Sequence, residues 1–104
     1  MSKTIELHTP YLLLIGDAED SAMAKTAQGI LHWRPDAVAG QLRFPQCKVD
    51  LGIPDLSIEE AQATGVKSLV IGVAPVGGVL SSQWWACIRE AVAAGLDVVN
   101  GMHQ

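Results

Sequence analysis

The run Tyr11-Leu12-Leu13-Leu14-Ile15, closed by Gly16, decides the fold of this chain. Uninterrupted apolar residues leave no polar face, which is typical of a strand buried on both sides in a parallel sheet. The segment Ser68-Leu69-Val70-Ile71-Gly72-Val73-Ala74 has the same character and more β-branched residues, so it predicts another buried strand. Since both faces of such a sheet are hidden, helices must cover each of them.

Working outward from the first run, the sequence predicts a helix and a short strand. Residues 20–33 place apolar side chains on one face at helical spacing, and Pro35 prevents the helix from continuing. Gly29 lies inside this helix, which favours a close contact between helix and sheet at that point. Residues 37–40 predict a weak strand, and residues 43–56 form a long irregular stretch that contains two prolines.

The second half of the chain has clearer helix boundaries. Ser57-Ile58-Glu59-Glu60 is a capping box, and the helix that it opens ends at Gly65. A longer helix, residues 82–94, follows a cap at Ser81 or Ser82. Its predicted inner face comprises Trp84 or Trp85, Ile88, Ala91 and Val92. Residues 96–100 predict a fourth strand.

Strands therefore alternate with helices along the whole chain. This order predicts the α/β class, as a three-layer, doubly wound, Rossmann-like domain with four parallel strands and helices on both faces. At 104 residues we expect residues 1–104 to form one domain. The strand orders 3-2-1-4 and 2-1-3-4 both fit the pattern.

Composition and charge exclude several classes of protein. The chain is 49% hydrophobic and 17% charged with a formal net charge of −4, so it is no disordered tail and has no basic field for nucleic acid. No apolar stretch is long and unbroken enough for a signal peptide or a membrane span. Cys47 and Cys87 stand at no metal-binding spacing, which predicts free thiols in a reducing cytoplasm and no metal site.

Candidate site residues follow from the fold, because open α/β sheets bind ligands beyond the carboxyl ends of their strands. Three predicted loops reach this edge, at residues 16–20, 74–78 and 100–103. They contain Gly16 and Asp17, the pair Gly77-Gly78, and His103; Ser81 adds a hydroxyl at the start of the next helix. The two adjacent glycines would let backbone amides face an anion, or would only supply a turn.

A nicotinamide dinucleotide site is disfavoured. The first loop has one glycine and three acids instead of a glycine-rich phosphate loop, and no acid follows the second strand. Ala24-Lys25-Thr26 lacks the glycine and the preceding cradle of a P-loop. Arg43 and Lys48 would suit a phosphomonoester, as on coenzyme A or NADP, or are solvated surface cations.

Two adjacent tryptophans point to an interface. Trp84 and Trp85 lie about 100° apart on a helix, so they cannot both enter the same core. An exposed tryptophan is typical of an interface. We therefore expect a homo-oligomer that forms through helix 82–94, with Trp84 or Trp85 at the contact.

The sequence resembles the N-terminal part of the D-glutamate N-acetyltransferase-like proteins over nearly its whole length. The resemblance is carried by Tyr11–Asp17, Ala24–Ile30, Trp33–Pro35, Gly40–Arg43, Cys47–Gly52, Gly72–Ala74, Gly77–Val79, Ala94–Asp97 and Gly101–His103. Pro75-Val76 depart from a more polar pair in that family. The resemblance implies a Rossmann-like N-terminal domain that packs against a larger C-terminal domain of P-loop type, which this sequence does not contain.

The resemblance also implies an activity. The family transfers an acetyl group from acetyl-CoA to the amino group of D-glutamate, so a base is needed for the amine and donors for the carbonyl oxyanion. We expect Asp17 or His103 as the base. Cofactor contacts are expected from Gly16, Arg43, Gly77, Gly78 and Ser81. The isolated chain is expected to be inactive; the alternative is a stand-alone nucleotide- or CoA-binding module, or an oligomerisation module, with no catalysis of its own.

Overall fold

The computed structural model describes residues 9–20, 24–72 and 81–100, and the structural statements below concern these residues. Seven main elements follow one another along the chain. They are β1 (Tyr11–Gly16), α1 (Lys25–Trp33), β2 (Val38–Arg43), α2 (Ile58–Ala63), β3 (Ser68–Ile71), α3 (Ser82–Ala93) and β4 (Asp97–Asn100). The strands form one parallel sheet in the order β2-β1-β3-β4. The predicted four-stranded parallel sheet is confirmed, and of the two open strand orders the structure has 2-1-3-4.

β1 is the centre of the sheet and of the core. All six of its residues are buried, and Leu12 to Ile15 have no exposed surface. It pairs with β2 on one side and with β3 on the other. The uninterrupted apolar run therefore has the position that its pattern predicts, hidden on both faces and at both edges.

Helices cover both faces of the sheet, as the prediction of three layers requires. Gly72, just after β3, is in close contact with Ala27 of α1. Gly16, at the end of β1, is in close contact with Trp84 of α3. Leu14 pairs with Ile71, so in the same register Gly72 lies beside Ile15, an odd-numbered residue of β1. Gly16 is an even-numbered residue of β1. Because alternate residues point to opposite faces, α1 and α3 lie on opposite sides of the sheet.

β2 extends three residues beyond its predicted end at residue 40, and includes the polar residues Gln41 and Arg43. Gln41 is completely buried, but both polar atoms of its side chain form hydrogen bonds. Nε2 donates to Asp50 Oδ1 and to the Ile53 carbonyl at 2.9 Å each. Oε1 accepts from the Leu51 amide at 2.9 Å. Its backbone also bonds residues 54 and 56, which places Asp55 opposite Gln41 in a parallel bridge beside β2. The polar side chain is tolerated in the strand because it holds the irregular loop in place.

The helix boundaries were largely predicted. The capping box of α2 is present, with Ser57 accepting from the Glu60 amide and the Glu60 carboxylate accepting from the Ser57 amide. Gly65 follows this helix with a φ of +90°. Ser81 is the cap of α3. Of the described helices, none is long and apolar enough to cross a membrane.

Two sequence-based expectations about helix packing are wrong. Trp84 and Ala91 lie on the buried face of α3 as predicted, but Cys87 also belongs to this face and Val92 is 61% exposed instead of buried. Gly29 makes no close contact with the sheet, since a Cβ built there would meet nothing within 4 Å. The close approach of α1 to the sheet occurs at Ala27 and Gly72 instead, where the Ala27 amide also donates to the Gly72 carbonyl at 3.1 Å.

This difference predicts opposite effects of two glycine-to-alanine substitutions. Gly72→Ala would place a Cβ 2.6 Å from the Ala27 Cβ, so we expect a loss of about 1 to 3 kcal/mol in the free energy of unfolding. Gly29→Ala adds a methyl group in open space within a helix, and should stabilise the protein by up to about 1 kcal/mol. Urea denaturation of both variants tests this, and equal effects would contradict the packing described here.

Candidate functional site

The candidate site lies at the carboxyl edge of the sheet, between β1 and β3. The strand order reverses there, because the chain moves from β1 outward to β2 and then returns to β3 on the other side. Such a reversal leaves a crevice in which α/β proteins bind their ligands. Among the described residues, this edge is formed by Gly16 at the end of β1, Asp17 after it, Gly72 after β3, and the first turn of α3.

Trp84 closes this edge from the α3 side. Its side chain is 3% exposed and lies directly over Gly16, so that a Cβ at residue 16 would overlap the indole ring. Phe44 meets the indole edge to face, with ring centroids 5.7 Å apart. Gly16 has a φ of +54° and its carbonyl accepts from the Phe44 amide at 2.8 Å. Glycine is required here both by the backbone conformation and by the ring above it.

Asp17 is held in place by the same tryptophan. The indole N–H of Trp84 donates to Asp17 Oδ1 at 3.0 Å, across 67 residues of sequence. The Asp17 residue is half-buried, and its Oδ2 accepts no hydrogen bond from the described residues. The carboxylate is therefore fixed through one oxygen and has a second oxygen with acceptor capacity. This arrangement suits a base or a site for a cationic amine.

Of the two serines predicted to cap α3, Ser81 is the cap. Its hydroxyl oxygen accepts from the Trp84 amide at 3.4 Å, so the residue that caps α3 also sets the start of the turn that carries the indole. Its predicted cofactor contact stays a prediction. His103, Gly77 and Gly78 lie outside the described residues, and their predicted roles likewise stay predictions.

Arg43 is already paired with carboxylates. Its Nε and one terminal nitrogen donate to the two oxygens of Asp55 at 2.7 and 2.8 Å, and the other terminal nitrogen donates to the Val49 carbonyl at 3.1 Å. Asp50 lies 3.7 Å away. The hydrogen bond that Arg43 donates to Asp55 raises the pKa of the guanidinium above its usual value. A phosphomonoester at Arg43 would have to compete with this bidentate pair, so the predicted cofactor contact has little support in the geometry.

The two partners of Arg43 are acidic groups with lowered pKa values. The hydrogen bond from Arg43 lowers the pKa of Asp55. For Asp50, the hydrogen bond from Gln41 lowers the pKa most, followed by the bond from the Gly52 amide. Gln41, Asp50, Arg43 and Asp55 thus form one network that ties the end of β2 to residues 49–55.

A groove of about 420 Å³ lies beside this network, between the end of β2, α2 and α3. Phe44, Ile58 and Cys87 are among its apolar lining, and Glu60 and Glu90 are among its acids. Burial raises the pKa of the Cys87 thiol to about 11, with a smaller contribution from Glu90. Cys87 is therefore protonated at neutral pH and is no nucleophile. No three acidic, histidine or cysteine side chains of the described chain are grouped so that they could hold a metal ion.

Fold and site place the chain among Rossmann-like α/β domains. Residues 43–104 match a family described as a domain of unknown function (DUF1611_N), Rossmann-like domain, and the chain belongs to this family. It is 46% identical over 97 residues to a D-glutamate N-acetyltransferase of Tritonibacter scottomollicae, and 40% identical over 99 residues to a D-glutamate N-acetyltransferase of a Pseudoalteromonas species. The resemblance predicted from the sequence is confirmed.

The relatives are much longer than this chain. The two alignments cover 93% and 95% of the chain, but 29% and 30% of the relatives. The chain thus spans less than a third of the length of the curated relatives that it matches.

The contact between Gly16 and Trp84 predicts a coupled effect of substitutions. Gly16→Ala should lower the free energy of unfolding by about 2 to 4 kcal/mol, because it adds a methyl group against the indole at a positive φ. Trp84→Phe in the same background should recover part of this loss, since the smaller ring makes room. A double-mutant cycle by urea denaturation measures the coupling, and strictly additive losses would contradict the contact.

The ion pair of Arg43 predicts a pH dependence of stability. Asp55 has a lower pKa in the folded protein than its unfolded value of about 3.9, so the pair stabilises the fold fully above about pH 5. This stabilisation is lost as the pH falls below about 4 toward the folded-state pKa. Because the Asp55 side chain is 56% exposed, solvent screening limits the effect to about 1 kcal/mol or less.

Asp55→Asn should therefore flatten the loss of stability between about pH 5 and pH 3, measured by urea denaturation at a series of pH values. Glu90→Gln is the control, because Glu90 is exposed and forms no ion pair within the part of the chain that the structure describes. If the Asp55→Asn profile has the same slope as that of the wild-type chain, the pair does not stabilise the fold.

Proposed function

We propose that this chain is the N-terminal Rossmann-like domain of an acetyl-CoA-dependent D-glutamate N-acetyltransferase, in which it forms part of the substrate cleft and packs against a further domain. The observation that carries the proposal is the similarity to two proteins of that name along more than nine-tenths of this chain. We place the protein in the cytoplasm, where its two free cysteines, Cys47 and Cys87, would remain reduced.

The described residues fit the amine side of the reaction better than the phosphates of CoA. Asp17 brings a negative charge to the crevice, and Arg43 is occupied by Asp55. Carboxylates near this edge would repel a pyrophosphate, whereas they attract an ammonium group. We therefore assign the acceptor amino group to Asp17, and the phosphate contacts to parts of the protein outside the described residues.

Acetyl-CoA supplies the acetyl group, and the chain supplies the means to deprotonate the amine. A protonated amine has no free electron pair, so the ammonium of D-glutamate must first lose a proton. Asp17 Oδ2 is the acceptor for that proton in this proposal, while the Trp84 N–H keeps Oδ1 in place. The freed nitrogen pair then forms the bond to the carbonyl carbon of the acetyl group, which leaves an oxyanion. The oxyanion collapses as the bond from that carbon to sulfur breaks, and the thiolate takes up the second proton that the nitrogen loses when the amide forms. His103 is the second candidate base, and the amides of Gly77 and Gly78 are candidate donors to the oxyanion.

A chimera tests the proposal. This chain would replace the matching 97 residues of the Tritonibacter scottomollicae enzyme, and CoA release would be measured with acetyl-CoA and D-glutamate. We expect the chimera to acetylate D-glutamate and the 104-residue chain alone to release no CoA. A chimera that is folded by circular dichroism but has no activity would contradict the proposed equivalence.

Substitution of Asp17 in the active chimera tests the assigned role. Asp17→Asn keeps an oxygen for the Trp84 N–H but removes the base, so kcat should fall by about 100-fold or more. The KM for acetyl-CoA should stay unchanged. Glu19→Gln removes a carboxylate from the same loop and is the matched control. Wild-type rates for Asp17→Asn would exclude Asp17 as the base without affecting the assignment of the domain.

A further inference from the structure

The face of the domain opposite α3 carries an exposed tryptophan beside an apolar hollow. Trp33, the last residue of α1, is 80% exposed. It borders a hollow of about 370 Å³ between α1 and the sheet, with Tyr11 and Val70 among its lining. Tyr11 is 5% exposed and Val70 1%, so the hollow reaches down to the core. Gly29 leaves it open, since nothing lies within 4 Å of a Cβ built there.

Two opposite charges flank the same corner. Arg34 lines the hollow, and Asp36 lies in the short 3-10 turn that follows α1. Both are exposed, and neither has an ion-pair partner in the described part of the chain. A protruding indole therefore lies beside a hollow, and a cation lies close in sequence to an anion. We call Trp33, Arg34, Asp36 and the hollow the Trp33 surface.

We propose that the Trp33 surface binds the same surface of a second copy of this chain about a two-fold axis. Two-fold interfaces use one patch twice, so the patch must be complementary to itself. Here each indole would enter the partner's hollow, and each Arg34 would pair with the partner's Asp36. An unrelated partner could bind through the tryptophan alone or the hollow alone, and through only one of the two charges. The presence of both members of each pair in one patch therefore favours a second copy.

This interface differs from the one that the sequence suggests. The expected contact through helix 82–94 would have to use Trp85, since Trp84 is buried against the end of β1. Trp85 is 48% exposed but does not line the groove of about 420 Å³ beside α3, whereas Trp33 lines its own hollow directly. The proposal does not depend on the proposed acetyltransferase function, because α1 lies on the face of the sheet opposite α3 and its indole.

Light scattering coupled to size exclusion, over a range of concentrations of the 104-residue chain, tests the proposal. We expect a mass that approaches twice the 11.0 kDa of one chain. Trp33→Ala should weaken the dimer by about 30-fold or more, as for a tryptophan at an interface centre. Trp85→Ala is the matched control and should leave the dimer unchanged. A mass of 11.0 kDa at every concentration would overturn the proposal.

Charge reversal gives an independent test. Arg34→Asp and Asp36→Arg should each weaken the dimer, because each places like charges opposite one another across the axis. The double variant restores opposite charges and should recover most of the affinity. Both positions are exposed, and circular dichroism checks that each of the three variants is folded. A double variant that is as weak as the single ones, or a dimer that dissociates with Trp85→Ala and not with Trp33→Ala, would exclude this interface.

Discussion

Burial of β1 on both faces and at both edges is the constraint on which the rest of the structure depends. An apolar strand of six residues without a polar face must have neighbours on all sides. β2 and β3 pair with its edges, α1 covers one face and α3 covers the other. The short chain can satisfy this requirement because a helix connects each strand of the parallel sheet to the next strand in sequence.

Two glycines set the distance between the sheet and its helices. Gly72 allows the backbone of α1 to approach β3, and Gly16 allows the indole of Trp84 to lie on the end of β1. The second contact also has a chemical consequence. Because the indole lies over Gly16, its N–H reaches the next residue and fixes the Asp17 carboxylate at the place where the strand order reverses. The same contact therefore determines both the packing of the core and the geometry of the candidate site.

Several parts of this arrangement could be predicted from local patterns. The buried strands follow from uninterrupted apolar runs, and the start of α2 follows from a capping box whose members are three residues apart. Asp17 could be placed at the carboxyl edge because it follows a buried strand directly. Its partner could not be identified, since Trp84 is 67 residues away and adjacent to an equally plausible Trp85. Likewise the sequence leaves Arg43 either as a phosphate contact or as a solvated surface cation, because Asp55 reaches it only when the loop folds back along β2.

By itself the sequence determined the class of the domain, the alternation of its elements and its resemblance to the D-glutamate N-acetyltransferases. These depend on periodicity, on caps and on motifs, all of which act between residues close in the chain. Only the tertiary structure decided the strand order, the buried face of α3, the helix–sheet contact at Gly72 instead of Gly29, and the pairing of Gln41 and Arg43 with their loop. Each of these depends on which distant surfaces meet, and the small free-energy differences that select among them arise from packing in three dimensions.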